Sequence, residues 1–475
     1  MILSDTHTVT RGQMAAYAAP ALAMAVIGIP IYVYVPKFYS DVVGLDVALV
    51  GAILFGVRIF DAVTDPLLGV LSDGVQSTYG RRRPFVLIGS LLLSIALFLL
   101  LNPPELSARG DLLWFATTLT AVFLFWTVVV VPYESLGPEI VSDYQERTTL
   151  FAWRDGALIL GTLVAAVSPF VIRSLSTVPA GPEQEKAVFF HMSVLYAPAI
   201  VLAALWCVRA IGERSPGAGQ SRSRARFTFD LDGLRKNRPF CILLAAYTVA
   251  AIGSNLPATL ILYYVEYVLE SQAADLFLLL YFSVGIACLP LWVKLAAKIG
   301  KKAAWMFSMV VNTGAFAGVF FLGAGDAPIY GVLVAVSGMG FGATLALPSA
   351  IQADTIDYDE LLSGQRREGR YVGIWSISKK LAAAVGVGVA LFVLGRAGYV
   401  PNAEQSEAVK NTLRVFYALV PVLCNLAAMG IVYAYPIGRE AHAAIREAVR
   451  LRRAGSAVRD PLQPNRILQP AASEG

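Results

Sequence analysis

The sequence predicts an all-α integral membrane protein with twelve transmembrane helices in two pseudo-symmetric six-helix bundles, and three observations predict it. Apolar runs long enough to cross a bilayer recur along nearly the whole chain, Lys and Arg gather in alternate gaps between them, and two local patterns return six runs later.

A soluble globular chain is about half apolar and about a quarter charged. Here 57% of the 475 residues are hydrophobic and 15% charged, with a mean hydropathy of +0.63. One aqueous core cannot hide that excess, so the apolar surface faces something other than water. A helix needs about 20 mostly apolar residues to cross a hydrocarbon core. Runs of that kind lie at 14–38, 46–72, 84–102, 111–134, 149–172, 188–210, 239–265, 273–296, 303–322, 329–350, 370–395 and 410–436. A transmembrane barrel would show short alternating segments instead. Continuous runs are helices, because lipid gives backbone groups no partner. The first run is too long for the core of a cleavable signal and lacks a cleavage site, so it reads as the first span.

Basic residues set the orientation. Arg81, Arg82, Arg83, Arg147, the set from Arg214 to Arg238, Lys298, Lys301, Lys302, Arg366, Arg367 and Arg370 all fall in even-numbered gaps, and the tail adds more. The odd-numbered gaps hold few, so both termini are expected in the cytoplasm. The Ser-, Gly- and Arg-rich stretch 212–238 reads as a cytoplasmic linker between bundles at 1–211 and 239–437. Residues 438–475 form a cytoplasmic tail, with an amphipathic helix in REAHAAIREAVRLRR lying on that face and disorder beyond it. Two echoes support duplication: Gly69-Val-Leu-Ser-Asp73 with Gly80 to Arg83 against Lys294 to Lys302, and Pro138 to Arg147 against Pro348 to Arg370. Each pair is separated by six spans.

Cys207, Cys241, Cys288 and Cys424 each stand alone in an apolar segment, and read as free packed thiols. His7, His191 and His442 lie near segment ends or in tails, which argues against a histidine relay or metal site. With no nucleophile–base pair or phosphate loop, enzyme chemistry has no foothold. Neither a nucleic-acid partner nor a cofactor is implied, and the chain is expected to work as a monomer among membrane lipid.

Ionisable groups inside spans cost about 2.5–3.5 kcal/mol each to insert and usually face a cavity or a partner. Arg58, Asp61 and Asp65 follow an i, i+3, i+7 spacing that puts them on one face of the second span, with Thr64 beside them. Two carboxylates one turn apart offer hard oxygens to a small cation, and Thr127 on the fourth span is placed to add another. Na⁺ at Asp61 and Asp65 is the natural guest, and a proton the alternative; Arg58 otherwise serves only to neutralise the pair. Adjacent Lys379 and Lys380 on the eleventh span point about 100° apart, so at most one faces the bundle interior. Tyr133, Glu134, Arg154 and Asp155 lie near the ends of spans four and five. Asp73, Arg81 and Arg82, with Asp354, Asp357 and Arg366, are expected to form a charged gate at the cytoplasmic mouth.

Several motifs carry a resemblance. Tyr39 to Gly44, Arg58-Ile-Phe-Asp61-Ala-Val-Thr-Asp65-Pro66, Val131-Pro-Tyr-Glu-Ser-Leu136, Ala353 to Tyr358 and Gly398-Tyr-Val-Pro-Asn402 occur in the order seen in the glycoside–pentoside–hexuronide:cation symporters of the major facilitator superfamily. The chain resembles that family from its first span to its last. The resemblance implies a cation-coupled symporter in a bacterial inner membrane. It also implies that Asp61 and Asp65 hold the cation with Thr64 and Thr127, that Arg58 precedes the pair, and that Lys380 links cation and substrate.

The chain departs from the melibiose-transporting members, which grip sugar hydroxyls with acids in spans one and four and stack a tryptophan under the ring. Ala25, Val130 and Glu134 stand at those places. The implied substrate is a sugar, glycoside or sugar acid, contacted by Lys380, Arg58, Glu134, Arg154 and Tyr133. A lysolipid-like amphiphile is the alternative substrate, and a non-transporting membrane sensor on the same fold is the alternative function.

Overall fold

The structure is a computed structural model and describes residues 9–74, 80–140, 144–211, 235–365 and 367–470. A long helix stands at each of the twelve expected spans. These are α1 (Arg11–Asp41), α2 (Val47–Gly74), α3 (Arg83–Leu101), α4 (Ala108–Ile140), α5 (Tyr144–Leu175) and α6 (Pro182–Ala210). They continue as α7 (Arg238–Tyr267), α8 (Ala274–Ile299), α9 (Lys301–Val319), α10 (Ala327–Ser363), α11 (Glu368–Arg396) and α12 (Glu407–Tyr433). Eleven are long and apolar enough to cross a membrane. The twelfth, α9, has the length at 19 residues, but Lys301, Lys302, Asn312 and Thr313 dilute its apolar content. Most of the expected linker, residues 212–234, lies outside the described residues, as do Arg366 and the side chain of Asp73.

Several helices outrun their apolar cores. Charged residues end an apolar run without ending a helix, since Glu, Lys and Arg are good helix formers. Thus α10 reaches 37 residues and stops only at Gly364, whose φ of 77° is the left-handed conformation that closes helices. Two helices widen into single π turns, at Pro30–Tyr34 in α1 and Val415–Leu419 in α12. Each is followed two residues later by a proline, Pro36 or Pro421, which has no N–H for the regular bond four residues back. The N-terminus of α1 is closed by a capping box. Gln13 N–H donates to Thr10 Oγ1 at 3.2 Å, and Thr10 N–H to Gln13 Oε1 at 3.0 Å.

Contacts divide the chain into two compact units, Met1–Arg226 with Leu391–Ser406, and Phe227–Ala390 with Glu407–Gly475. In the first, α1 packs on α5 and α6, α3 on α4 and α6, and α2 on α4. The α1–α5 crossing needs a glycine, since a Cβ on Gly161 would overlap the Leu22 carbonyl and lie 2.8 Å from the Ala25 methyl. In the second, α10 lies between α8 and α9, and α7 packs on α12. Gly338 and Gly342, four apart on α10, bring it against the α8 backbone; a Cβ on Gly338 would sit 2.7 Å from the Tyr281 carbonyl. Small residues at this spacing let helices approach where lipid provides no hydrophobic drive. Large apolar side chains point outward instead, among them Leu67, Leu113, Leu202, Leu291 and Val332.

The tail corrects the expectation of disorder. After α13 (Arg439–Arg453) come β1 (Val458–Asp460) and β2 (Gln463–Leu468), antiparallel, with Val458 opposite Leu468 and Asp460 opposite Gln463. Ile445, Ala448, Val458 and Leu468 are all buried in the core of the second unit, and Tyr358 Oη donates to Asp460 Oδ2 at 3.0 Å. These four apolar residues and one acid anchor the segment.

Replacing Gly161 by leucine is expected to abolish folded yield in detergent, because α1 and α5 cannot close. The Gly56→Ala protein, with open space where the methyl goes, should melt no lower than wild type and gain up to about 1 kcal/mol. Thermal unfolding followed by gel filtration checks both.

Candidate functional site

The three charges of α2 share one face. Asp61 is 2% exposed and Arg58 8%, while Asp65 is half-buried. Asp61 is held on both oxygens: Arg58 Nη1 lies 3.3 Å from Oδ2, and Thr127 Oγ1 donates to Oδ1 at 3.0 Å. Thr64, buried beside them, donates to the Asp61 carbonyl at 3.1 Å. The α2–α4 packing therefore brings together Asp61, Thr64, Thr127 and Arg58, with Asp65 one turn further along α2.

Thr127 has one hydroxyl proton and two acceptors, since the Phe123 carbonyl is 3.1 Å away. Its proton can serve either acceptor. The group offers carboxylate and hydroxyl oxygens and no sulfur or imidazole, a set suited to a hard cation.

The environment of Arg58 was not legible from the sequence. Its guanidinium carbon lies 4.3 Å from the Tyr32 ring centroid and 4.9 Å from that of Phe123, and its buried Nε has no hydrogen-bond partner. Tyr32 belongs to the π turn of α1, so the available signal was the proline four residues beyond it.

A second polar patch joins α1, α4 and α5. Tyr133 Oη donates to the Tyr17 carbonyl at 2.6 Å, and the two rings stack at 5.1 Å. Arg154 pairs with Asp155 at 2.8 Å, lies over Phe151 at 4.7 Å and is within electrostatic range of exposed Glu134. Ala25 is half-buried at the α1–α5 crossing and Val130 half-buried on α4, so no acid stands at either place. On α11, in the other unit, Lys379 is exposed and Lys380 half-buried. One turn away Trp375 stacks on Tyr247 at 4.1 Å, and Ser378 bonds Thr248 at 2.5 Å.

The expected gate pairs acids of one half with basic loops of the other. The partners of Asp354 and Asp357 include residues of their own unit. Lys301 Nζ is 2.6 Å from Asp354, and His442 Nε2 is 3.3 Å from Asp354 and 2.9 Å from Asp357. The next acids on α10 are engaged likewise: Asp359 by Arg367 in a two-bond pair at 2.6 and 3.0 Å, and Glu360 by Arg453. Arg82 is buried at the start of α3, and Arg81 half-buried. His442, which the sequence placed in a tail, bridges two carboxylates.

Two motifs far apart in sequence meet in the first unit. Asp41, 8% exposed, accepts from Ser40 Oγ at 2.6 Å and Tyr399 Oη at 2.8 Å, and it pairs with Lys37. Its carbonyl accepts from Asn402 Nδ2 at 2.5 Å. The Tyr39-Ser-Asp and Gly398-Tyr-Val-Pro-Asn segments thus make one buried polar knot.

A family model described as MFS/sugar transport protein matches residues 16–439. The chain is 28% identical over 416 residues to a glucuronide carrier protein homolog of Escherichia coli, covering 84% of this chain and 87% of that one. It is 26% identical to an isoprimeverose transporter of Lactiplantibacillus pentosus, covering 82% and 81%. A crystal structure of a nucleoside transporter superposes with a TM-score of 0.62 at 13% identity, over 89% of this chain and all of that one, which shows a shared fold.

Tyr399→Phe leaves the buried Asp41 carboxylate one donor short and should destabilise by about 1–3 kcal/mol. A thermal midpoint lowered by several degrees is expected, while Arg459→Gln on the exposed edge of β1 should leave the midpoint unchanged.

Proposed function

The chain belongs to the MFS/sugar transport protein family, and from that premise we propose that it is a cation-coupled symporter of a sugar, glycoside or sugar acid, working by alternating access. The observation that carries the reading is the oxygen cluster on α2, where Asp61 and Asp65 lie a turn apart and Thr127 of α4 closes on Asp61. Ionisable groups inside an apolar helix are costly and usually face a cavity or a partner. The relatives named for glucuronide and isoprimeverose support a sugar-type solute. With no acid at positions 25 and 130 and with Arg154 and Lys380 present, a solute bearing an acidic group is favoured.

The cation, Na⁺ or H⁺, binds at Asp61 and Asp65 with Thr64 and Thr127 supplying further oxygens. Lys380 carries the link between cation and solute that the family resemblance assigns to it. Coupling requires each ligand to raise the other's affinity by the same factor, typically 5- to 150-fold. Cation and solute then cross together, and the downhill cation drives the uphill solute. The membrane is the bacterial inner membrane, with both termini cytoplasmic by the distribution of Lys and Arg.

Asp65→Asn is the cleaner test of the ion site. Asp61→Asn would leave Arg58 buried without its counter-charge, a loss of about 3–5 kcal/mol that confuses folding with function. The Asp65→Asn protein should fold and still exchange solute, while its cation-driven accumulation falls about tenfold or more. Undiminished accumulation removes Asp65 from the ion site. Lys380→Ala should reduce coupled accumulation with little change in thermal midpoint, and unchanged transport would make that lysine structural.

A further inference from the structure

The connection that joins α11 to α12 does not group with the helices it joins. Leu391–Ser406 is compact with the first unit, while α11 up to Ala390 and all of α12 belong to the second. Yet α11 runs unbroken from Glu368 to Arg396, with no proline inside it. A continuous helix is a rigid element that passes displacement along its length, so movement of α11 pulls on the connection.

The connection is held to the first unit by groups that carry no charge. Tyr399 Oη donates to Asp41 Oδ1 at 2.8 Å, and Asn402 Nδ2 donates to the Asp41 carbonyl at 2.5 Å. Gly395 lies directly on the start of α2, where a Cβ would come 2.8 Å from the Ala48 methyl and 3.2 Å from Val47 Cγ1. The charge of Asp41 is met from its own helix, by Lys37 one turn earlier and by Ser40 Oγ at 2.6 Å. Those two stay with Asp41 wherever the connection goes, so letting go strands no bare charge. The connection also braces itself. Gln405 Nε2 donates to the Val400 and Ala403 carbonyls at 2.5 and 2.7 Å, and Val400 N–H donates to Gln405 Oε1 at 3.2 Å. It can therefore keep its shape when it leaves.

We propose that residues 391–406 are a latch, held on α1 and α2 by Tyr399, Asn402 and Gly395 and released with α11 and α12 when the transporter changes state. The latch rests on the alternating-access part of the symport reading and adds to it a named contact that parts in each cycle. With both termini cytoplasmic, the connection after the eleventh span lies on the outer side, so its release accompanies outward opening.

The test follows maleimide labelling of a Val47→Cys protein in detergent, read peptide by peptide by mass spectrometry. Val47 is 3% exposed beside Gly395, and native Cys207, buried in the same unit, monitors unfolding. Asn402 is the residue to change, because it bonds a carbonyl and its loss leaves the donors to the Asp41 carboxylate in place. Its φ of 54° is also open to glycine and aspartate. Asn402→Gly should raise the labelling rate at position 47 about fivefold, the worth of one net hydrogen bond. Asn402→Asp, which sets a carboxylate against the Asp41 carbonyl, should raise it further, with Cys207 protected in both. An unchanged rate in either variant overturns the latch. So does a rate that rises only in step with labelling of Cys207, since the knot is then an anchor whose loss unfolds the unit. Solute uptake that ignores every cation gradient contradicts the symport reading and leaves the latch standing, because labelling reads the opening without a solute.

Discussion

A carboxylate deep in a membrane helix must be compensated where it stands, and Asp61 imposes that requirement on its surroundings. Asp61 is 2% exposed, and α4 brings Thr127 to one of its oxygens and α2 its own Arg58 to the other. That in turn fixes how α2 and α4 face each other, and it places Phe123 and Tyr32 against the guanidinium. Asp65 lies a turn away on the same helix, and this pair of acids is where the proposed coupling cation would bind.

Other buried charges obey the same rule. Asp41 is enclosed by Ser40, Lys37 and Tyr399, and the acidic end of α10 is met in turn by Lys301, His442, Arg367 and Arg453. Truncating one member of such a set strands its partner, which is why single substitutions there read mainly as stability. The α2 site differs in setting two acids a turn apart on one helix, and that pair carries the proposed function.

Much of this was legible in the sequence because lipid constrains a chain so tightly. Helix positions followed from runs of about 20 apolar residues, and the face shared by Arg58, Asp61 and Asp65 followed from helical spacing. Helix ends were less legible: α10 runs to Ser363 through a charged segment that periodicity alone treats as loop. The tail hairpin was missed because its anchors, Val458 and Leu468, are sparse among polar residues and bury against a helix about a hundred residues earlier. Tyr32 and Phe123 were missed for a different reason. In a helix surrounded by hydrocarbon an aromatic residue is unremarkable, and only the three-dimensional position of Arg58 gives those two a role. The contact of Asp41 with Tyr399, 358 residues apart, lay within two motifs the sequence had singled out without joining them.

The most direct test of coupled transport is accumulation in proteoliposomes. Purified protein would be reconstituted, and uptake of a labelled glucuronide and a labelled xyloside followed under an imposed Na⁺ gradient, an imposed pH gradient, and neither. Symport predicts accumulation above the external concentration with one of the gradients, collapsing when that gradient is dissipated. Uptake that only equilibrates, at the same rate with and without either gradient, would contradict cation coupling.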